Sequence, residues 1–131
     1  MPYSPQVLDH FENPRNAGEL SGADAEARLE HPVCGDVMRL AVKLREGTIT
    51  ESRFQTRGCV ASIAAGSCLT EMIQGKSISE AAQLDREQLV EALGGLENAS
   101  MHASHLAIDV LQQVLGKLKK SAGTQDSRGR K

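Results

Sequence analysis

Apolar residues recur with two different periods along this chain, and the change from one to the other divides it. Over 37–45 they alternate, with Leu40, Val42 and Leu44 on one side and Arg39, Lys43 and Arg45 on the other. A period of two marks a half-buried strand. Glu46-Gly47 supplies a turn, and the β-rich run over 48–56 returns, which predicts an antiparallel hairpin with one wet face. A less strongly marked strand is expected over 25–31.

Elsewhere the spacing is helical. Ser4-Pro5 combines a capping hydroxyl with proline at the first helical position, and Val7, Leu8 and Phe11 follow on one face. Asn13-Pro14-Arg15-Asn16 breaks this helix, and 18–22 reads as loop. Beyond the hairpin, helices are predicted over 61–74, with Gly75 as the stop, and after Ser77-Ile78-Ser79-Glu80, a capping box. Two more cover 85–93, ended by Gly94-Gly95, and 101–118, where Ala107, Leu111, Val114 and Leu118 align. Residues 1–120 therefore form one domain, and 121–131, polar and rich in small residues, form a disordered tail. Strands first and helices afterwards predict an α+β fold: a small antiparallel three-stranded sheet with helices packed on one face.

Composition narrows the function. With no Trp, one Tyr and two Phe in 131 residues, the core must be aliphatic. Fifteen basic and seventeen acidic side chains give a net charge of -2, so no field of one sign draws the chain to nucleic acid or to a membrane. No apolar run approaches a bilayer span, and the first residues have no signal-peptide character. Three cysteines, an odd number, fit a reducing compartment better than a disulfide framework, which predicts a cytoplasmic protein with free thiols.

Those thiols carry the candidate chemistry. Pro32-Val33-Cys34-Gly35-Asp36 and Arg57-Gly58-Cys59-Val60-Ala61-Ser62 are turns that each present one cysteine. Cys34 precedes the hairpin and Cys59 follows it, so the two strands return both to one end of the sheet. Thiolates bind soft or borderline metals, whereas the Asp36 carboxylate is a harder and weaker partner. Such a mixture suits a protein that holds iron or zinc temporarily. Taken singly, Cys34 is equally a stray thiol beside a turn glycine, and Asp36 a turn cap. Cys59 precedes a helix, where partial positive charge favours anions. Cys68 lies nine residues further on, about 13.5 Å along a helix and facing away, on a stripe with Ala61, Ala64, Ala65 and Met72. It reads as a core thiol. His102 and His105 stand three apart at the start of the last helix and are further candidate ligands. His10 reads as a surface residue, and His31 as a spare ligand.

These residues resemble the IscU/NifU/SufU-type iron-sulfur cluster assembly scaffolds. Tyr3-Ser4 with Val7-Leu8-Asp9-His10-Phe11-Glu12-Asn13-Pro14-Arg15-Asn16-Ala17-Gly18 is similar to that family's opening helix and loop. Cys34-Gly35-Asp36-Val37-Met38 and Gly58-Cys59 match its first two ligand turns. Thr70-Glu71 with Gly75-Lys76-Ser77 matches the following helix and exit, and His102 the last helix start. The resemblance implies a domain that assembles a [2Fe-2S] cluster from iron and sulfide and passes it to apo iron-sulfur acceptor proteins. Sulfide would come from a cysteine desulfurase and electrons from a ferredoxin-like donor, and the chain would not be an enzyme in the narrow sense. The implied ligands are Cys34, Cys59, Asp36 as the labile oxygen, and His102, with His105 or His31 as alternatives. Zinc can occupy the same donors. The chain departs from the family at Ala103, where a third cysteine is usual, and at Leu96-Glu97-Asn98-Ala99-Ser100, where a chaperone-recognition segment is usual. A zinc-holding persulfide acceptor and a metal-free adaptor on the desulfurase are the rival readings. For a cysteine hydrolase no nucleophile, base and orienting group are visible.

Overall fold

The computed structural model describes residues 3–33 and 35–127. Helix α1, Pro5–Glu12, comes first, followed by strands β1, Ala25–Glu30, β2, Val37–Arg45, and β3, Thr48–Arg57. Helices α2, Val60–Ile73, α3, Ile78–Ala82, and α4, Arg86–Ala92, follow; a 3-10 turn, Asn98–Ser100, leads into α5, Met101–Ser127. The strands form one antiparallel sheet in the order β1-β2-β3. The expected α+β architecture is the observed one.

Pairing register explains which side of the sheet is dry. Ala27, Leu40 and Phe54 lie side by side across the three strands, and Leu29, Met38 and Thr56 form the next row. Leu40 and Met38 are fully buried and Phe54 nearly so. One residue along, Arg28, Arg39 and Gln55 make a row on the opposite, wet side. A register shift between Lys43 and Leu44 marks a bulge near the hairpin end, and Leu44 is only half-buried.

Helices α2 and α5 cover the dry side, α2 against β3 and α5 against β1 and β2. Helix α2 is buried on nearly every side, because α1, α4, α5 and β3 all pack on it. The apolar stripe read from its sequence is therefore part of a wholly interior helix. Gly66 makes this possible: a Cβ there would collide with the Phe54 ring, so the ring rests directly on helix backbone. The free edge of β3 is stitched to the opening loop. Phe54 donates its N–H to the Asn16 carbonyl and accepts from the Gly18 N–H, both at 2.9 Å.

The helix starts follow the predicted caps. Ser4 accepts the Val7 N–H at 3.0 Å and donates its hydroxyl to the Leu93 carbonyl, tying α1 to the end of α4. Ser77 and Glu80 form the expected capping box, and Asp85 with Gln88 forms a second one. Helix α5 extends past the expected end at Leu118 to Ser127, into the stretch assigned to a disordered tail; residues 128–131 lie outside the described part.

His10 corrects the sequence reading. It is 8 % exposed, not a surface residue. Its Nδ1 lies 2.7 Å from the Ser67 hydroxyl of α2, which also accepts the Arg15 N–H at 2.8 Å. The α1 face that carries Val7 also carries His10, so both turn toward α2. Burial pushes the imidazole below its usual value of 6.5, with Arg15 adding to the effect and Glu71 opposing it.

Candidate metal centre

Three elements converge at one end of the sheet. The loop before β2 carries Asp36, the end of β3 leads through Gly58 to Cys59 at the head of α2, and α5 begins with Met101 and His102. The loop closes on itself through the His31 N–H to the Asp36 carbonyl at 2.7 Å and the Gly35 N–H to the His31 carbonyl at 2.9 Å. Gly35 sits at φ 79°, a left-handed conformation that glycine adopts without a Cβ penalty. Cys34 lies outside the described residues.

The Asp36 carboxylate is the hub. Its Oδ2 accepts the Ser62 hydroxyl at 2.6 Å and lies 3.1 Å from His102 Nε2. The Cys59 thiol and the Cys59 backbone N–H each approach the same oxygen at 3.4 Å. Gly58 allows this approach. A Cβ on Gly58 would stand 2.5 Å from Asp36 Cγ and under 3 Å from both carboxylate oxygens. Burial works against the ionised carboxyl, but the hydrogen bonds from Ser62, Cys59 and His102 together outweigh it, and the group sits below the usual 3.8. The site therefore holds a carboxylate at neutral pH.

Cys59 Sγ is also 3.5 Å from His102 Nε2, so thiol, imidazole and carboxylate form a triangle, with all three donor atoms within 4.8 Å of one another. Zinc bonds of about 2.0–2.3 Å in tetrahedral geometry put neighbouring ligand atoms about 3.4–3.6 Å apart. The observed edges of 3.1, 3.4 and 3.5 Å are close to that figure. The donors fit zinc or iron with little rearrangement, and they mix hard oxygen with softer sulfur and nitrogen.

Of the other sequence candidates, His105 and Cys68 lie away from the triangle and His31 borders it. His105 bonds through Nε2 to Arg86 Nη1 at 3.1 Å, on the α4 side of α5, and does not join the triangle. His31 stands edge-on to His102 with ring centroids 5.4 Å apart, and its Nδ1 accepts the Val33 N–H at 3.2 Å. Cys68 is 3 % exposed, with Sγ 3.8 Å from Met72 Sδ. Burial pushes its thiol up to about 11, which fits the core reading. Ala103, beside His102, is fully buried. Ser62 was missed as a site residue. Its signal was its place three after Cys59, where an α-helix returns toward the same side.

A thiol, a carboxylate and an imidazole stand together at the head of two helices, over the three-stranded antiparallel sheet of a small α+β domain. The chain belongs to the NifU-like N terminal domain family, whose model matches residues 2–125. It is 46 % identical over 113 residues to the iron-sulfur cluster assembly scaffold protein IscU 1 of Archaeoglobus fulgidus, covering 86 % of this chain and 74 % of that protein. It is 39 % identical over 127 residues to the scaffold protein IscU of Haemophilus influenzae, covering 94 % of this chain and all of that one. The crystal structure of a NifU-like protein (N-terminal) from Brucella abortus shares the fold with a TM-score of 0.72 at 18 % identity, over 91 % of this chain and 95 % of that one.

Proposed function

We propose that this chain is an iron-sulfur cluster assembly scaffold, which holds a [2Fe-2S] cluster as cargo and surrenders it to apo iron-sulfur proteins. The observation that carries the reading is the preformed triangle of Asp36, Cys59 and His102. The relatives named as scaffolds support it. Cys34, Asp36, Cys59 and His102 are the proposed ligands. His is an established replacement for Cys on two-iron centres, so a site without the third family cysteine remains chemically sound. His102 is preferred to His105, which is engaged by Arg86. Asp36 is the ligand most easily exchanged, since carboxylate oxygen binds iron less strongly than thiolate does.

The role is binding and transfer. Sulfide from a cysteine desulfurase, electrons from a ferredoxin-like donor and iron from solution would meet at the triangle. A cytoplasmic setting suits labile thiolates, and among the described residues no helix is long and apolar enough to cross a membrane. The test is anaerobic loading with iron and sulfide, followed by metal analysis, absorption spectroscopy and transfer to an apo-ferredoxin. About one two-iron cluster per chain is expected. Cys59→Ala should abolish loading and Cys68→Ala should leave it intact. A wild-type chain that takes up no cluster, or a Cys59→Ala variant that loads fully, overturns the reading.

A further inference from the structure

We propose that Ser62 is a positioning residue that sets how readily Asp36 lets go of the bound metal. The inference rests on the scaffold reading above. Asp36 Oδ2 has four neighbouring donors in this structure, but they differ in what happens when metal enters. The Cys59 thiol must lose its proton to become a ligand, and His102 Nε2 must turn its lone pair to the metal. Both therefore leave Oδ2. Ser62 and the Cys59 backbone N–H are not ligands, so their contacts persist.

Of these two, the Ser62 hydroxyl is much the closer, 2.6 Å against 3.4 Å. It is fully buried, so no solvent replaces it. A short hydrogen bond to a carboxylate is charge-assisted and strong. It draws electron density from the same oxygen that faces Cys59 and His102, and so weakens that oxygen as a metal donor. Outer-shell partners that accept a proton from a ligand raise its donor strength; Ser62 donates, so the sign is reversed. Its other effect, holding the carboxylate in place, is duplicated. The Cys59 N–H and the Asp36 carbonyl bond to His31 hold the residue from two sides, and Gly58 leaves it room. Loss of the Ser62 hydroxyl should therefore strengthen the metal–oxygen bond more than it loosens the ligand.

The test uses the full chain loaded with a [2Fe-2S] cluster, and separately with zinc. Ser62→Ala should load normally and transfer its cluster to apo-ferredoxin about tenfold more slowly, in line with removing one hydrogen bond to a charged group. Ser62→Thr, which keeps the hydroxyl, should restore the wild-type rate. In the zinc-loaded protein, Ser62→Ala should shift the infrared carboxylate stretch of Asp36, and Ser62→Thr should leave it in place. A structural role alone would lower the melting temperature of the metal-free protein without moving that band. Faster transfer or weaker zinc binding in Ser62→Ala overturns the proposal, as does a rate equal to wild type. If Ser62→Ala does not fold, the zinc-loaded wild type decides. A Ser62 hydroxyl proton protected from exchange in its NMR spectrum supports the proposal, and its absence overturns it. A wild-type chain that never loads would instead defeat the scaffold reading, with Ser62 untouched.

Discussion

Gly58 offers the sharpest test of how the site is built. In Gly58→Ala the new methyl would overlap the Asp36 carboxylate, at 2.5 Å from Cγ and 2.7 and 2.8 Å from the two oxygens. Carbon atoms in contact sit about 3.5–4.0 Å apart, so the carboxylate must move by about an ångström or more. That movement breaks the 2.6 Å bond from Ser62 and leaves a fully buried hydroxyl without its acceptor. Losing a hydrogen bond to a charged group costs about 2 kcal/mol. At φ 158° alanine is also strained, so the usual gain from restricting the unfolded chain is not realised. The loss is therefore at least about 2 kcal/mol. Unfolding entropy of about 2.1 cal/mol/K per residue gives about 0.28 kcal/mol/K for 131 residues, hence a melting temperature at least about 7 °C lower. Thermal unfolding of the metal-free protein measures this, and competition with a chelator measures zinc affinity, which should fall about tenfold as Asp36 is displaced. Gly116 is the control. It is exposed on α5 with open space where a Cβ would stand, so Gly116→Ala should stabilise by about 1 kcal/mol. A Gly58→Ala protein that melts at or above wild type and keeps its zinc affinity would refute this account of the site.

Three further outcomes are expected. Cys68→Ser places a hydroxyl beside Met72 in an apolar setting and should destabilise by about 1–3 kcal/mol in denaturant titration. In the native metal-free chain Cys59 should react with a thiol reagent well before Cys68, and equal rates would contradict the burial. His10 should make stability depend on pH. Its folded-state value is depressed, so the unfolded chain binds more protons as the pH falls. The stabilisation is complete above about 6.5 and is lost as pH drops through the lower folded value. Melting curves from about pH 8 to about pH 5 should therefore fall less steeply for His10→Gln than for wild type, and parallel curves would exclude His10 as the cause.

The sequence by itself determined the elements and the ends of the site. The period-two run over β2 and its turn at Glu46-Gly47 specify the hairpin locally, and Ser4, Ser77 and Asp85 announce their helices through caps that act within one turn. A hairpin also has fixed geometry, so Asp36 and Cys59 at its two ends had to meet. What lay beyond was decided by packing between residues far apart in the chain. His102 and His105 are roughly 60° apart around one helix, which local spacing treats as a single face. The fold divides them, because Asp36 stands opposite one and Arg86 opposite the other. His10 and Ser67 are 57 residues apart, and no local pattern makes a histidine on an amphipathic helix a buried one. Ser62 and Gly58 gained their meaning in the same way. Each is an ordinary small residue until the Asp36 carboxylate, from the loop before β2, is turned against it, and packing decides that orientation.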